Sequence, residues 1–195
     1  MAQEILEKLF DSPVKVKLLK FFMRNPDNSF EMNEIAKKTK TSLPACRGEI
    51  KKLESIKLIN GKYKKRKKSY SINPNFDFYN ELRTLILKSS PASKEKILQK
   101  LKTLGRIKLV ILSGIFLDAE NSRVDMLIVA DNVNNSEKQR KVSQFFRDLE
   151  AEVGKEIDYV LLTTEEFKYR HNMFDRFILD VLEKPHEKLI NKLKI

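Results

Sequence analysis

The sequence predicts an α+β protein with two domains of different character. Apolar residues recur at helical spacing through about residue 56, and two strand-like segments then flank a run of lysines. After about residue 106, short apolar runs alternate with amphipathic stretches, as in an α/β domain with a small mixed sheet. Charge divides in the same way, because residues 1–110 hold 26 Lys and Arg against 11 Asp and Glu, whereas residues 111–195 hold 13 against 16.

Length and composition narrow the class of protein. The chain has 195 residues, 41% of them hydrophobic, and a net charge of +12, which suits a folded protein that meets a polyanion through its basic half. Charge that only keeps exposed helices soluble is the alternative. There is no signal-peptide pattern at the amino terminus and no apolar run of membrane-spanning length, so we expect a cytoplasmic protein without membrane contact. One cysteine and two histidines exclude an intramolecular disulfide and predict neither a metal site nor a cofactor.

The first part of the chain predicts a short helix, a turn and a longer helix. Ser12-Pro13 is typical of a helix start, and the apolar helix that follows should end near Asn25-Pro26. A short helix is predicted over 31–38. A third should begin after a capping Ser42 and run to about Ile56, with apolar residues on its inward face at 43, 46, 50 and 53. This is a helix-turn-helix arrangement.

A basic hairpin is predicted directly after the third helix. Segments 58–63 and 69–72 are strand-like, and the residues between them hold most of a run of six cations in seven positions: Lys62, Lys64, Lys65, Arg66, Lys67 and Lys68. The sequence has no acid between Lys57 and Ile72 to neutralise them. Such a run repels itself unless phosphates accept it, so we expect a DNA-binding wing, with a solvated charge run as the alternative.

The third helix has the features of a recognition helix. Its outward face should carry Pro44, Arg47, Gly48, Lys51, Lys52 and Ser55. Arg47 is the best candidate for a base contact, since a guanidinium can donate two hydrogen bonds to guanine. Phosphate contacts are expected from Thr41, Ser42, Lys51 and Lys52. The alternative is an ordinary amphipathic helix with a solvated basic face.

Residues 8–73 resemble the winged-helix regulators of the ArsR-like kind found in prokaryotes. The likeness lies in the order of helices, in the opening Leu9-Phe10-Asp11-Ser12-Pro13 and in the Lys/Arg-rich hairpin that ends in Tyr70-Ser71-Ile72-Asn73. It implies a winged helix-turn-helix domain that binds double-stranded DNA. The metal-sensing cysteine pair of some members has no counterpart here.

The second half predicts strands and helices in alternation. Strands are expected at 108–112, 126–129 and 157–162, and helices at 136–153, from Thr163 or Thr164, and at 174–182. Between the halves, one helix is predicted over 75–90 and another from a capping Ser93 to Leu104. We therefore predict a DNA-binding domain over 1–75, a helical connector over 76–104 and an α/β domain over 105–195.

Residues 106–162 resemble the core of the minimal nucleotidyltransferases. Members carry Gly-Ser after the first strand, Asp-x-Asp on the second and a third carboxylate on a later strand, which together imply a two-magnesium site. Asp125 falls on the second aspartate and Asp158 on the third carboxylate, but Arg123 replaces the first aspartate and Ser113-Gly114 reverses the Gly-Ser order. The resemblance therefore implies an inactive domain in which Arg123 pairs with a neighbouring acid, such as Asp125 or Asp158, or binds the phosphate of an anionic ligand.

These observations predict a sequence-specific transcriptional regulator that is not an enzyme. Its inactive second domain would bind a nucleotide or protein effector. Because helix-turn-helix proteins commonly bind paired half-sites, we expect a homodimer with residues 76–104 as an interface. The alternative is an active nucleotidyltransferase that uses its basic half to hold a substrate.

Overall fold

The computed structural model describes residues 2–64, 66–89, 91–102, 104–119, 121–131 and 136–195. It divides into unit 1, Met1–Pro91 with Asp148–Lys155, and unit 2, Ala92–Arg147 with Glu156–Ile195. Helices and small sheets occur in these ranges, which confirms the α+β class. None of the helices described is long and apolar enough to cross a bilayer.

Unit 1 is built around its second helix. Helix α1 (Ala2–Leu9) was not predicted, whereas α2 (Pro13–Arg24) begins where expected. The Ser12 hydroxyl accepts a hydrogen bond from Lys15 N at 3.1 Å, and Pro13 occupies the first turn, where no backbone N–H is required. Helix α2 buries Val16 and residues 18–23, including Lys20, whose Nζ donates to the Pro91 carbonyl at 3.1 Å.

Two helices separated by residues 39–42 follow the short strand β1 (Phe30–Glu31). They are α3 (Met32–Lys38) and α4 (Leu43–Ser55). Cys46, Ile50 and Leu53 are buried, as the predicted inward face of α4 requires. Ser42 occupies the N-cap position, as predicted, but its side chain makes no capping hydrogen bond. Pro44 contributes to this, since it removes one of the two N–H groups that such a cap could bind.

An antiparallel hairpin follows α4. It consists of β2 (Ile59–Lys64) and β3 (Lys67–Ile72), and β3 also pairs with β1 to give the order β1-β3-β2. The strands extend further than predicted, because Tyr63 pairs with Lys68 and Lys64 with Lys67. Only residues 65 and 66 then join the strands, and Arg66 has a positive φ of 67°. Lys65 and the side chain of Lys64 lie outside what the structure describes.

Helix α5 (Tyr79–Lys88) completes unit 1 and is shorter than the predicted helix over 75–90. It buries Ile86 in the same core as α2 and packs Tyr79 and Leu82 against that core. Unit 1 therefore continues through α5 to Pro91.

Unit 2 alternates helices and strands much as the sequence predicts. It contains α6 (Lys94–Lys102), β4 (Ile107–Leu112), a 3₁₀ turn (Gly114–Phe116), β5 (Met126–Ala130), α7 (Ser136–Val153), β6 (Tyr159–Leu162), α8 (Thr164–Asn172), α9 (Arg176–Glu183) and β7 (Glu187–Asn191), the end of α7 falling in unit 1. The Thr163 hydroxyl accepts from Glu166 N at 3.0 Å, so Thr163 caps α8 as expected.

The sheet of unit 2 is mixed, as predicted. Its order is β6-β5-β4-β7, with β5 and β6 parallel and the other pairs antiparallel. One face packs Leu109, Ile111, Leu127 and Val129 against side chains of α8 and α9. Strand β7 was not predicted.

Candidate functional site

The outward face of α4 is exposed as predicted. Its exposed residues are Pro44, Arg47, Gly48, Lys51, Lys52 and Ser55. A Cβ added at Gly48 would meet nothing within 4 Å, so α4 is open at this point. A ligand could therefore approach the helix closely there.

The cations of α4 differ in their partners. Lys52 Nζ lies 2.9 Å from Glu49 Oε1 one turn away, so its charge is partly neutralised within the helix. Arg47 and Lys51 have no acid partner among the described residues. These two side chains can meet an external anion without first breaking an ion pair.

The two hydroxyls before α4 also differ. Thr41 is half-buried, and its Oγ1 lies 2.9 Å from Thr39 Oγ1. The Thr41 side chain also forms a hydrogen bond with the thiol of Cys46. Burial raises the pKa of this thiol, and the hydrogen bond with Thr41 opposes the increase only in part. Ser42 is exposed. Of these two hydroxyls, that of Ser42 is therefore the more accessible to a phosphate.

Two hairpin cations are paired with acids, which corrects the expectation that the run has none to neutralise it. Lys67 Nζ lies 2.9 and 3.1 Å from the two oxygens of Glu31, and Lys68 Nζ lies 2.7 and 3.0 Å from those of Glu54. The Glu54 hydrogen bond raises the pKa of Lys68. The acids come from β1 and α4, so the sequence around the hairpin could not reveal them.

The remaining described hairpin cations are open to solvent. Lys62 and Arg66 are exposed, and none of the described acids pairs with either. Tyr63, between two lysines of β2, is 76% exposed. The hairpin and α4 are neighbours in unit 1, since Glu54 of α4 binds Lys68 of β3. Among the described residues, α4 and the hairpin thus share four exposed cations without acid partners: Arg47, Lys51, Lys62 and Arg66.

In unit 2, Asp125 ties two backbone segments together. Its carboxylate is buried and accepts hydrogen bonds from Ile115 N at 2.8 Å and from Asp158 N at 3.0 Å. The Asp125 backbone N–H in turn donates to Asp158 O at 2.7 Å. Each carboxylate oxygen therefore already has a backbone donor. The side chain of Asp158 is exposed, and the pair is joined through the Asp158 backbone rather than through two facing carboxylates.

The Ser113-Gly114 turn is also bonded internally. Ser113 Oγ donates to Val124 O at 2.5 Å, and Gly114 N donates to Ser122 Oγ at 3.1 Å. Gly114 has a φ of +51°, and an added Cβ would lie 2.1 Å from Asp125 Oδ1. Glycine is therefore required here by both backbone conformation and space. A phosphate at this turn would have to compete with these bonds for the backbone N–H groups.

Arg123 pairs with neither of the acids expected for it. Its Nε donates to Asp180 Oδ2 of α9 at 2.7 Å, and this hydrogen bond lowers the pKa of Asp180. The expected pairing of Arg123 with a neighbouring acid is confirmed, but the acid is Asp180 and not Asp125 or Asp158, because the Asp125 carboxylate already accepts two backbone N–H groups and α9 brings Asp180 to Arg123. In the described part of the chain, no three His, Cys, Asp or Glu side chains are grouped as metal ligands.

Comparison with protein-family models, with curated proteins and with solved structures gives no match for this chain.

Proposed function

We propose that unit 1 is a winged helix-turn-helix domain that binds double-stranded DNA. Helix α4 would be the recognition helix and the β2-β3 hairpin the wing. One observation carries the proposal: these two neighbouring elements hold exposed cations that have no acid partner in the described part of the chain, Arg47, Lys51, Lys62 and Arg66.

Each element would make a different kind of contact. Arg47 on the open face of α4 can donate two hydrogen bonds to one guanine in the major groove. Ser42, Lys51 and the exposed wing cations Lys62 and Arg66 would bind phosphates; such contacts release counterions and make affinity fall steeply with salt. Lys52 would have to leave Glu49 first.

We further propose a cytoplasmic transcriptional regulator that acts as a homodimer. Helix α5 lies within the proposed interface over 76–104 and exposes Leu85, while Phe78 just before it is 66% exposed. Ile5 and Leu9 of α1 are also exposed. Apolar side chains of this size are more stable when a second copy covers them. Dimerisation would let two recognition helices bind two half-sites.

Selection of bound duplexes from a random or genomic pool would test this proposal. We expect purified protein to enrich a discrete motif at two salt concentrations, with weaker overall recovery at the higher one. A palindromic motif would support the dimer. Uniform recovery without a motif would favour a general nucleoid or substrate-holding role, and failure to retain any duplex would refute DNA binding.

For unit 2 we propose an inactive nucleotidyltransferase-like domain that serves as a sensor or protein-interaction module. Two observations support it: the Asp125 oxygens already accept backbone N–H groups, and the cation Arg123 stands where a metal ligand is expected. Purified protein with Mg²⁺ or Mn²⁺ and each labelled nucleoside triphosphate should transfer no label to itself, to DNA or to RNA. Metal-dependent labelling would instead favour the active nucleotidyltransferase.

A further inference from the structure

We infer that Glu54 is a positioning residue for the wing and that Lys68 holds the wing through Glu54 instead of binding phosphate. The inference rests on the proposed DNA binding. It assigns opposite roles to the two acids that neutralise hairpin cations, Glu31 and Glu54.

Lys68 is held from several sides. Its Nζ lies 2.7 Å from Glu54 Oε1 and 3.0 Å from Oε2, and it also lies 5.1 Å from the ring centre of Tyr70 and 5.9 Å from that of Tyr63. A cation within about 6 Å of an aromatic face is attracted to it. The Lys68 and Glu54 side chains are only 28% and 31% exposed. A phosphate would have to draw Lys68 out of all these contacts.

The hairpin makes room for this pair at Gly61. Gly61 is the cross-strand partner of Tyr70. A Cβ at Gly61 would lie 2.4 Å from Glu54 Oε1 and 2.4 Å from Lys68 Cε. Since Gly61 does not have a positive φ, its missing side chain matters for space and not for backbone conformation. The absence of a side chain lets Glu54 reach across β2 to Lys68 and join the end of α4 to the hairpin.

The Glu31-Lys67 pair differs in its surroundings. The Lys67 side chain is 71% exposed and that of Glu31 is 45% exposed, and among the described residues Lys67 lies over no aromatic ring. An ion pair this exposed contributes little to holding a structure. Glu31 therefore competes with phosphate for Lys67, whereas Glu54 fixes the direction in which the wing points.

The sign of the change in affinity distinguishes these roles. Neutralising an acid beside a DNA-binding surface should strengthen binding, because one less negative charge faces the phosphates. We expect this for Glu31→Gln. If Glu54 positions the wing, Glu54→Gln should weaken binding by about three- to tenfold despite the more favourable net charge.

The test measures affinity by fluorescence anisotropy for a duplex selected with the unmodified protein, at two salt concentrations. It uses the full chain, Glu31→Gln, Glu54→Gln, Lys68→Glu and the exchange of Glu54→Lys with Lys68→Glu. The exchange keeps the net charge and can re-form the ion pair. We expect the exchanged variant to recover most of the affinity for the duplex that Glu54→Gln and Lys68→Glu each lose. Hydrogen exchange of the free proteins should show faster exchange over 59–72 in Glu54→Gln and recovery in the exchanged variant.

The alternatives give different results. If Glu54→Gln binds as tightly as the unmodified chain or more tightly, or if the exchanged variant is as weak as Lys68→Glu, the positioning role is refuted and Lys68 is a phosphate contact. If hairpin exchange is unchanged in Glu54→Gln, the ion pair does not hold the wing. An unmodified chain that binds no duplex would refute the proposed function itself, a result separable from the other two.

Discussion

Asp125→Asn should destabilise unit 2 although it changes only one atom of the side chain. The buried carboxylate accepts Ile115 N at 2.8 Å with Oδ1 and Asp158 N at 3.0 Å with Oδ2. Asparagine offers one acceptor and one donor, so it can satisfy only one of these two N–H groups. The other would face an NH₂ group.

The expected cost follows from that lost acceptor. Hydrogen bonds to a charged group contribute about 1.5–3 kcal/mol each, and a buried N–H left without a partner costs about 1–3 kcal/mol. Because the two figures describe the same lost bond and are not added, we expect the free energy of unfolding to fall by about 1–3 kcal/mol. The effect should appear without any metal or nucleotide, because the bonds are internal to the fold.

Chemical denaturation followed by circular dichroism would measure the change, with Asp158→Asn as the matched control. The Asp158 side chain is exposed, and its contribution to this network comes from its backbone. The control should stay within about 0.5 kcal/mol of the unmodified chain. If Asp125→Asn is as stable as Asp158→Asn, then the Asp125 carboxylate does not stabilise the fold. A catalytic or ligand-binding role would then be the better explanation for it.

Three further changes test the assignments in each unit. The first change replaces Lys62, Lys64 and Arg66 of the wing with serine. The slope of log affinity against log salt concentration should become shallower by about 0.9 for each lost phosphate contact. An unchanged slope would show that the wing does not contact the DNA. Arg47→Ala should cost about 1–3 kcal/mol at one base position, whereas equal losses on specific and random duplexes would make Arg47 a phosphate contact. Arg123→Ala should lower the free energy of unfolding at neutral pH but not at acidic pH. The hydrogen bond from Arg123 lowers the pKa of Asp180 in the folded protein. The stabilisation from this pair is therefore complete above the pKa of Asp180 in the unfolded chain and is lost as the pH falls through its pKa in the folded protein. Thermal unfolding at several pH values would show a constant difference if the pair were irrelevant.

Much of the fold follows from local patterns in the sequence. The start of α2 depends on Ser12 and Pro13, and the inward face of α4 on apolar residues spaced by three and four, so both could be predicted from neighbouring residues. Strand β7 could not, because its residues 187–191 are only partly buried and it pairs as an edge strand with β4. Lys20 was also missed, since nothing local distinguishes a buried lysine that bonds Pro91 from a solvated one.

In the candidate site too, local patterns in the sequence do not predict contacts between residues that lie far apart along the chain. The composition of the hairpin predicts its excess of positive charge, but the partners of that charge lie far along the chain. Glu31 is 36 residues from Lys67 and Glu54 is 14 residues from Lys68. Asp180 is 57 residues from Arg123. Ion pairs across such separations depend on tertiary structure, which no sequence window contains.

The residue counts place the excess of positive charge in the first half of the chain, and the ion pairs show which of its cations are already neutralised. Several cations of unit 2 bind acids of the same unit, as Lys94 does with Glu187, Lys108 with Asp131 and Arg170 with Glu166. Exposed cations without an acid partner among the described residues occur in both units, and in unit 1 some of them lie together on α4 and the neighbouring hairpin. A polyanion binds most favourably to cations that have no acid partner, because no existing ion pair has to be broken on binding. If the proposed DNA binding is correct, we expect the duplex to bind at α4 and the hairpin, and we expect the removal of Glu54 to weaken that binding.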